Sequence, residues 1–361
     1  MHIADIETER LSVPLKKPFK TALRTVDTAH SVIVRIVCDD GKVGWGEAPP
    51  TVAITGDSLE SIEAFIQLVR PRLIGQDPLD AERLFALLQR SAVNNTSGKA
   101  AIDMALYDLI AQSCSLPLYR LLGGYRSEIE TDYTVSVNDP AEMADDAAGY
   151  VQSGFSVLKI KVGLDDISTD LQRVRSIRER IGPDIKLRID ANQGWEAKSA
   201  IRAIRAMEDA GFDIELVEQP VQARDFVGMK QVTDAVDTPI MADESLFSPA
   251  DALELLNHRA VDLFNIKLMK SGGISRADTI NRIAESCGVE CMMGSMVESR
   301  IAITAASHFA AAKRNVTRID FDAPLMTVYD AVCGGAVYEG SRIRLPSVPG
   351  LGITGLNRQL R

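Results

Sequence analysis

No run of apolar residues in this sequence approaches the ~20 that a membrane-spanning helix requires. Its first residues, MHIADIETERLSV, bring in acidic side chains at once and lack the apolar core of a signal peptide. No stretch is rich in lysine and arginine, and 50 acidic against 40 basic residues leave a formal net charge of −10. That balance argues against nucleic acid and anionic membranes as partners, while allowing a local basic site for an acidic small molecule. Cysteines are few and odd in number: Cys38, Cys114, Cys287, Cys291 and Cys333 form no C-x-x-C pair and have no zinc-type spacing with histidine. Free thiols in a reducing compartment follow, and the expectation is a soluble, cytoplasmic protein.

What is present is globular in composition: 361 residues, 46% of them hydrophobic and 25% charged, enough for a large domain and a smaller one. The first third reads as mixed α+β. IADIETERLSV and SVIVRIVCDDGKVGWGEA have strand patterning, the second as a hairpin turning at Asp40-Gly41. Helical patterns follow at 58–75, 79–93 and 97–113, and Gly123-Gly124 offers a boundary. From there a strand-like run recurs eight times, beginning near 131, 156, 186, 214, 239, 262, 290 and 318, at intervals of about 23–30 residues. Amphipathic segments such as STDLQRVRSIRERIG lie between the runs. Eight such periods are the signature of a (β/α)8-type barrel. The predicted organisation is an N-terminal α+β domain over 1–125, a barrel over 126–324, and a Gly-rich segment over 325–361 that returns to complete the first domain.

A second regularity lies within the first. Several runs end in polar residues two apart, which in a strand share a face: Lys159/Lys161, Asp190/Asn192, Asn265/Lys267 and Asp320/Asp322. Glu218 and Asp243 occupy matching positions on the strands between. Surface charge would scatter, whereas these cluster at one end of consecutive strands, where inward positions of a parallel barrel face the active-site mouth. Asp190, Glu218 and Asp243 are three hard oxygen donors with no histidine or cysteine beside them, a set that suits Mg2+. The alternative is that each carboxylate pairs with a neighbouring lysine. Asn192 reads as a supporting group, and Glu244, pointing to the opposite face from Asp243, is not expected to be a ligand. Lys159 and Lys161 lie on the second barrel strand and Lys267 on the sixth, which are opposed in a ring of eight. Two opposed amines suit a 1,1-proton transfer, one removing an α-proton and the other returning a proton to the opposite face. A lysine acts as a base there if desolvation and nearby positive charge lower its pKa.

K-x-K, D-x-N, V-E-Q-P, A-D-E-S and N-I-K on successive strands resemble the muconate-lactonizing subgroup of the enolase superfamily, and the likeness extends through LPLYRLLGG over the whole chain. That resemblance implies Lys bases working with Mg2+, shared by racemases, cycloisomerases and dehydrating synthases. The eighth run, RIDFDAP, with KPFKTALRT and APPTVAITGDS before the barrel, is similar to the dipeptide epimerases. The implied activity is interconversion of L-Ala-L-Glu and L-Ala-D-Glu in murein-peptide metabolism, by a homo-oligomer. In the implied roles, Asp320 and Asp322 hold the substrate ammonium and Arg24 binds the glutamyl side-chain carboxylate. Lys161 and Lys267 exchange the α-proton, Lys159 supports the metal-held carboxylate, and Thr134, Ser295 and Met296 line the dipeptide. Read without the resemblance, Asp320 and Asp322 could cap the next turn or bridge to Arg318, and Arg24 could be a solvated loop charge. Ile54 and Thr55 are candidate lid contacts, while Asp57 with Glu60 reads as a helix-capping pair. Glu298 and Arg300 fall near the pocket. An N-acylamino acid racemase, a cycloisomerase, an o-succinylbenzoate synthase, an epimerase of other dipeptides and a binding protein on an inactive barrel are the competing readings.

Overall fold

The computed structural model describes residues 1–357. Apolar–polar alternation builds its first element: along β1 (Ile3–Lys20), Leu11, Val13 and Leu15 are buried while Ser12, Pro14 and Lys16 face out. β2 (Thr25–Cys38) pairs antiparallel with β1, and β3 (Val43–Ala48) with β2. The turn between the last two falls at the predicted Asp40-Gly41, with Gly41 at φ +84°. Helices Leu59–Leu73, Ala81–Ser91 and Thr96–Ser113 occupy the predicted stretches. The third lies directly on β3, because a Cβ at Gly44 would stand 2.1 Å from the Ala105 carbonyl oxygen, and one at Gly46 1.9 Å from that of Ala101. Only glycine permits that approach. The first helix starts one residue later than expected: Ser58 and Ser61 form its capping box, not Asp57 and Glu60. Asp57 instead accepts from the Ser97 N–H at 3.0 Å. Asn95, the residue before helix Thr96–Ser113, is left-handed and makes no side-chain cap of its own.

β4 (Glu128–Glu130) leads into eight parallel strands: β5 (Tyr133–Val135), β6 (Val157–Lys161), β7 (Lys186–Asp190), β8 (Ile214–Glu218), β9 (Ile240–Ala242), β10 (Leu263–Ile266), β11 (Glu290–Met293) and β12 (Val316–Ile319). They neighbour one another in chain order. Amphipathic helices between them, such as Ile167–Ile181 and Ala197–Asp209, cover the outer face. The seam between β12 and β5 is closed mainly by side chains. Asp132 N–H reaches the Ile319 carbonyl at 3.3 Å, and Arg188 of β7 donates to Asp132 Oδ2 (2.8 Å) and Ile319 O (3.2 Å). Leu216, Met241, Leu263 and Met292, one from each of β8 to β11, plug the interior. The sheet is thus curled around a filled centre, with the predicted (β/α)8-type plan except that β12 is followed by a single helical turn, Ala323–Met326.

The segment after that turn supplies β13 (Val332–Gly334), β14 (Val337–Glu339), β15 (Arg342–Arg344) and β16 (Ile353–Leu356). β13 pairs with β16, while β14 and β15 extend a sheet with β4. Leu351 N–H also donates to Asp108 Oδ1 at 2.8 Å, tying the segment to helix Thr96–Ser113. Among the described residues, no helix is long and apolar enough to cross a membrane.

Buried acids of the N-terminal part cap helices of the barrel. Asp103 accepts from Ile274 N–H (2.6 Å) and from the Ser275 hydroxyl (2.6 Å) at the start of helix Ile274–Ser286. Glu47 accepts from Ser31 Oγ (2.5 Å), Ser299 N–H (2.7 Å), Ser299 Oγ (2.7 Å) and Ala302 N–H (2.9 Å) at the start of helix Arg300–Ala312. Charge-assisted bonds at a helix N-terminus are among the stronger ones. Glu47→Ala is therefore expected to lower the unfolding free energy by about 2 kcal/mol or more, read as a shift in the urea midpoint, with Glu47→Gln losing less.

Candidate active site

Register brings the charges together. Lys161 stands beside Asp190, and Asp190 beside Glu218, on adjacent strands. Asp243 and Lys267 follow the last residues of β9 and β10. One oxygen from each of Asp190, Glu218 and Asp243 can be chosen so that all lie within 4.8 Å of one another, and all three residues are fully buried. The other oxygen of each is held by the protein. Asp190 Oδ1 accepts from Asn192 N–H at 2.9 Å, Glu218 Oε1 from Asn265 Nδ2 at 2.7 Å, and Asp243 Oδ1 from Lys270 Nζ at 2.5 Å.

The remaining oxygens face the lysines. Lys161 Nζ lies 2.6 Å from Asp190 Oδ2, and Lys267 Nζ 2.7 Å from Asp243 Oδ2. Lys159 Nζ lies 3.0 Å from Asp190 Oδ2, 2.8 Å from Glu218 Oε2 and 2.8 Å from Asp320 Oδ2. Glu218 Oε2 is at ion-pair distance but has no hydrogen bond, a buried carboxylate oxygen short of a partner. Three preoriented carboxylates with one oxygen each turned inward are a fitting donor set for Mg2+. Glu244 Oε1 accepts from Asn192 Nδ2 at 3.2 Å.

At Lys267 and Lys159 the carboxylates outweigh burial. Burial alone would lower the Lys267 and Lys159 pKa values. Instead Asp243 on Lys267, and Asp320, Glu218 and Asp190 on Lys159, hold both above the ordinary lysine value. The reason is the excess of carboxylates in a dry site. Conversely, burial raises Asp190 and Asp243, but Lys161 and Lys159 hold Asp190 down at about 2, and Lys267 and Lys270 hold Asp243 below its usual range. Glu218, buried beside Asp190, is pushed up to about 7.

Asp320 and Asp322 face the same cavity. Neither bridges to Arg318, which pairs with Glu215 and Glu290. Asp322 Oδ2 accepts from Thr134 N–H at 2.6 Å and makes no side-chain cap to the turn that follows. Burial and then Asp320 push Asp322 up to about 7, whereas Lys159 and its neighbours outweigh burial to hold Asp320 down. Arg24 sits at the tip of the β1–β2 hairpin, in a loop folded on itself by Thr21 N–H to Arg24 O (3.0 Å) and Arg24 N–H to Thr21 Oγ1 (3.2 Å). Burial lowers its pKa, and among the described residues its guanidinium has no carboxylate partner. It is a half-buried cation facing the cavity.

One cavity is lined by all the expected lysines and substrate contacts: Arg24, Thr134, Lys159, Lys161, Lys267, Ser295, Met296, Asp320 and Asp322. Phe19 and Ile54 form part of its roof, with Lys161 Nζ 5.8 Å from the centre of the Phe19 ring. Thr55 does not line it, and its hydroxyl bonds back to Thr51 O. Glu298 and Arg300 also point elsewhere. Glu298 accepts from Met296 N–H at 2.8 Å, while Arg300 pairs with Asp330 and donates to the carbonyls of Gly334 and Ala336. Two supports escape a reading of the sequence. Lys270, fully buried, reaches Asp243 and the Asn265 carbonyl (3.0 Å), and its only signal is a lysine three places after Lys267. Tyr338, from the C-terminal segment, donates to Phe321 O at 2.6 Å between the two aspartates, with no local signal at all.

Residues 5–123 match the family model for the mandelate racemase/muconate lactonizing enzyme N-terminal domain, and residues 142–358 the enolase C-terminal domain-like family. L-Ala-D/L-Glu epimerase of Bacillus subtilis (strain 168) is 61% identical over 356 residues, which is 98% of this chain and 97% of that protein. The solved substrate-liganded complex of the Bacillus subtilis enzyme superposes at a TM-score of 0.98, covering 99% of this chain and all of its own. The dipeptide epimerase of Enterococcus faecalis V583, complexed with Mg and L-Leu-L-Tyr, superposes at 0.95 with 46% identity, over 98% of this chain and 100% of its own. With both domains matched and the relatives aligned end to end, the chain belongs to the mandelate racemase/muconate lactonizing enzyme family of the enolase superfamily.

Proposed function

We propose that this protein is an Mg2+-dependent dipeptide epimerase, an isomerase that interconverts L-Ala-L-Glu and L-Ala-D-Glu, serving murein-peptide metabolism as a homo-oligomer. The relatives support the reaction class. The charge layout of one cavity carries the substrate: two carboxylates, Asp320 and Asp322, at one side and Arg24, which has no acidic partner among the described residues, in the roof. A ligand with an ammonium at one end and a free side-chain carboxylate at the other complements both. Substrates of cycloisomerases and dehydrating synthases bring no amine to the aspartates.

In this reading the N-terminal part, 1–125, supplies the roof through Phe19, Arg24 and Ile54, and the barrel, 126–324, supplies the chemistry. Asp190, Glu218 and Asp243 would hold Mg2+. When bound, the cation supplies electrostatic stabilisation to the carboxylate charge that grows as the α-proton leaves. Lys161 and Lys267, from β6 and the end of β10, flank the α-carbon from opposite sides. Lys267, held as ammonium by Asp243 while no cation engages that carboxylate, is set to deliver a proton. With Asp243 engaged, either lysine, when neutral, can take the α-proton from its own face while the other, as ammonium, delivers a proton to the opposite one. The proton gained and the proton lost are then balanced by exchange with solvent. Lys159 places a third ammonium at the base of the site, against Asp190, Glu218 and Asp320, where it faces the substrate carboxylate. Arg24 and the aspartates fix the two ends, so the α-carbon stays in line with both lysines while its substituents invert.

Incubation with L-Ala-L-Glu and Mg2+ in D2O is expected to place deuterium at the glutamyl α-carbon as the D-epimer appears, followed by NMR. Absence of exchange from every L,L-dipeptide tested would sink the reading. Lys161→Ala and Lys267→Ala are each expected to slow epimerisation by about 1,000-fold, while retaining exchange from the epimer whose α-proton faces the surviving lysine. A single variant with full turnover in both directions contradicts the two-base scheme. Arg24→Met is expected to cut kcat/KM for L-Ala-L-Glu by about tenfold or more, with a much smaller effect on L-Ala-L-Leu, which offers no side-chain carboxylate.

A further inference from the structure

Beside the reaction cavity lies a second chamber that none of the proposed roles uses. Its volume is about 450 Å3, against about 50 Å3 for the cavity at the lysines. Pockets that bury a small ligand run to roughly 300–1,000 Å3, so the reaction cavity alone falls short of that range and the chamber lies within it. Phe19, Thr134 and Met326 line both spaces and so form the partition between them. Behind the partition, the rings of Tyr133 and Tyr150 stack with centroids 3.9 Å apart. Of the charges that line it, Lys17 pairs with Asp146 at 2.5 Å, while Lys20 donates to the neutral Asn138 at 2.7 Å. The stacked tyrosines give the chamber an aromatic floor that an aromatic side chain can rest on.

The partition stands at the amine end of the site. Thr134 N–H is bonded to Asp322, and Met326 closes the single turn that begins beyond Asp322, with Leu325 N–H on Asp322 O at 2.9 Å. That turn is pinned to β1, which also carries Phe19, by Lys16 Nζ on Leu325 O (2.9 Å) and Val328 N–H on Pro14 O (2.9 Å). Met326 is half-buried at this junction. A residue whose ammonium rests on Asp320 and Asp322 has its side chain only two bonds from that nitrogen, hence at the partition.

We infer that Met326, with Phe19, limits the first residue of the dipeptide to a small side chain, and that the chamber behind is a latent subsite for an aromatic one. This rests on Asp320 and Asp322 being the ammonium anchor. Methionine is unbranched and fills gaps without shaping the backbone, so shortening it joins the two spaces.

The test is the specificity of Met326→Ala, measured as kcat/KM for α-deuterium exchange on L-Ala-L-Glu, L-Phe-L-Glu and L-Tyr-L-Glu. The preference for aromatic over alanyl substrate is expected to rise by about tenfold or more, chiefly through KM. Gly149 borders the chamber, and a Cβ placed there meets nothing within 4 Å. Gly149→Trp should therefore plug the chamber, cancelling the gain in the double variant while alone leaving L-Ala-L-Glu turnover within about twofold. If Met326→Ala fails to fold, Met326→Val is expected to move the preference in the same direction by less. A folded Met326 variant that turns over L-Ala-L-Glu with no aromatic gain overturns the inference, as does a gain that survives the plug. A wild-type protein that exchanges no dipeptide at all overturns the epimerase reading itself, and the inference about Met326 falls with it.

Discussion

The structure depends on a lattice of buried opposite charges at one end of the barrel. Asp190, Glu218, Asp243 and Lys270 are fully buried, and Lys159, Lys161 and Lys267 nearly so. Taking such charges out of water costs several kcal/mol per ion unless each is paired and hydrogen-bonded. Here every carboxylate has one oxygen held by a backbone N–H, an amide or an ammonium, and the other turned toward the centre. The pairing makes burial tolerable, and the orientation makes the same groups usable. Removing one member leaves its partner charged and dry, so the lattice behaves as a unit.

The barrel frame is what holds that lattice to tolerance. Short strands in strict chain order set Lys161, Asp190 and Glu218 side by side, and the plug of Leu216, Met241, Leu263 and Met292 keeps the strands from moving inward. The N-terminal part is fastened by acids that cap barrel helices, Glu47 and Asp103 above all. Those caps bring Arg24 and Phe19 over a mouth built more than a hundred residues later in the chain. A roof on one element and chemistry on another is a natural arrangement for changing substrate without changing reaction.

Much of this was legible in the sequence because it is periodic. The eight βα intervals pointed to the barrel, and Lys159/Lys161, Asp190/Asn192 and Asp320/Asp322 betrayed a shared face through their two-residue spacing. What escaped was whatever depends on contacts between distant segments. Asp57 looked like the cap of the helix that follows it and caps instead one starting 39 residues on. Glu298 and Arg300 belong to the pocket loop by position, yet one folds back on Met296 and the other reaches the C-terminal segment. The upward pKa direction of Lys159 and Lys267 was also beyond reach, since it is the sum of several carboxylates whose distances no spacing reveals.

The sequence by itself determined which groups could do chemistry and that they would converge, because strand period and βα interval are local properties of the chain. Only the tertiary structure decided which oxygen of each carboxylate faces the lysines, that Arg24 has no acidic partner among the described residues, and that Lys270 and Tyr338 support the site from behind. It also decided where a side chamber opens beside the amine end. These are matters of distance and competition among neighbours, and such neighbours are chosen by packing, not by position along the chain.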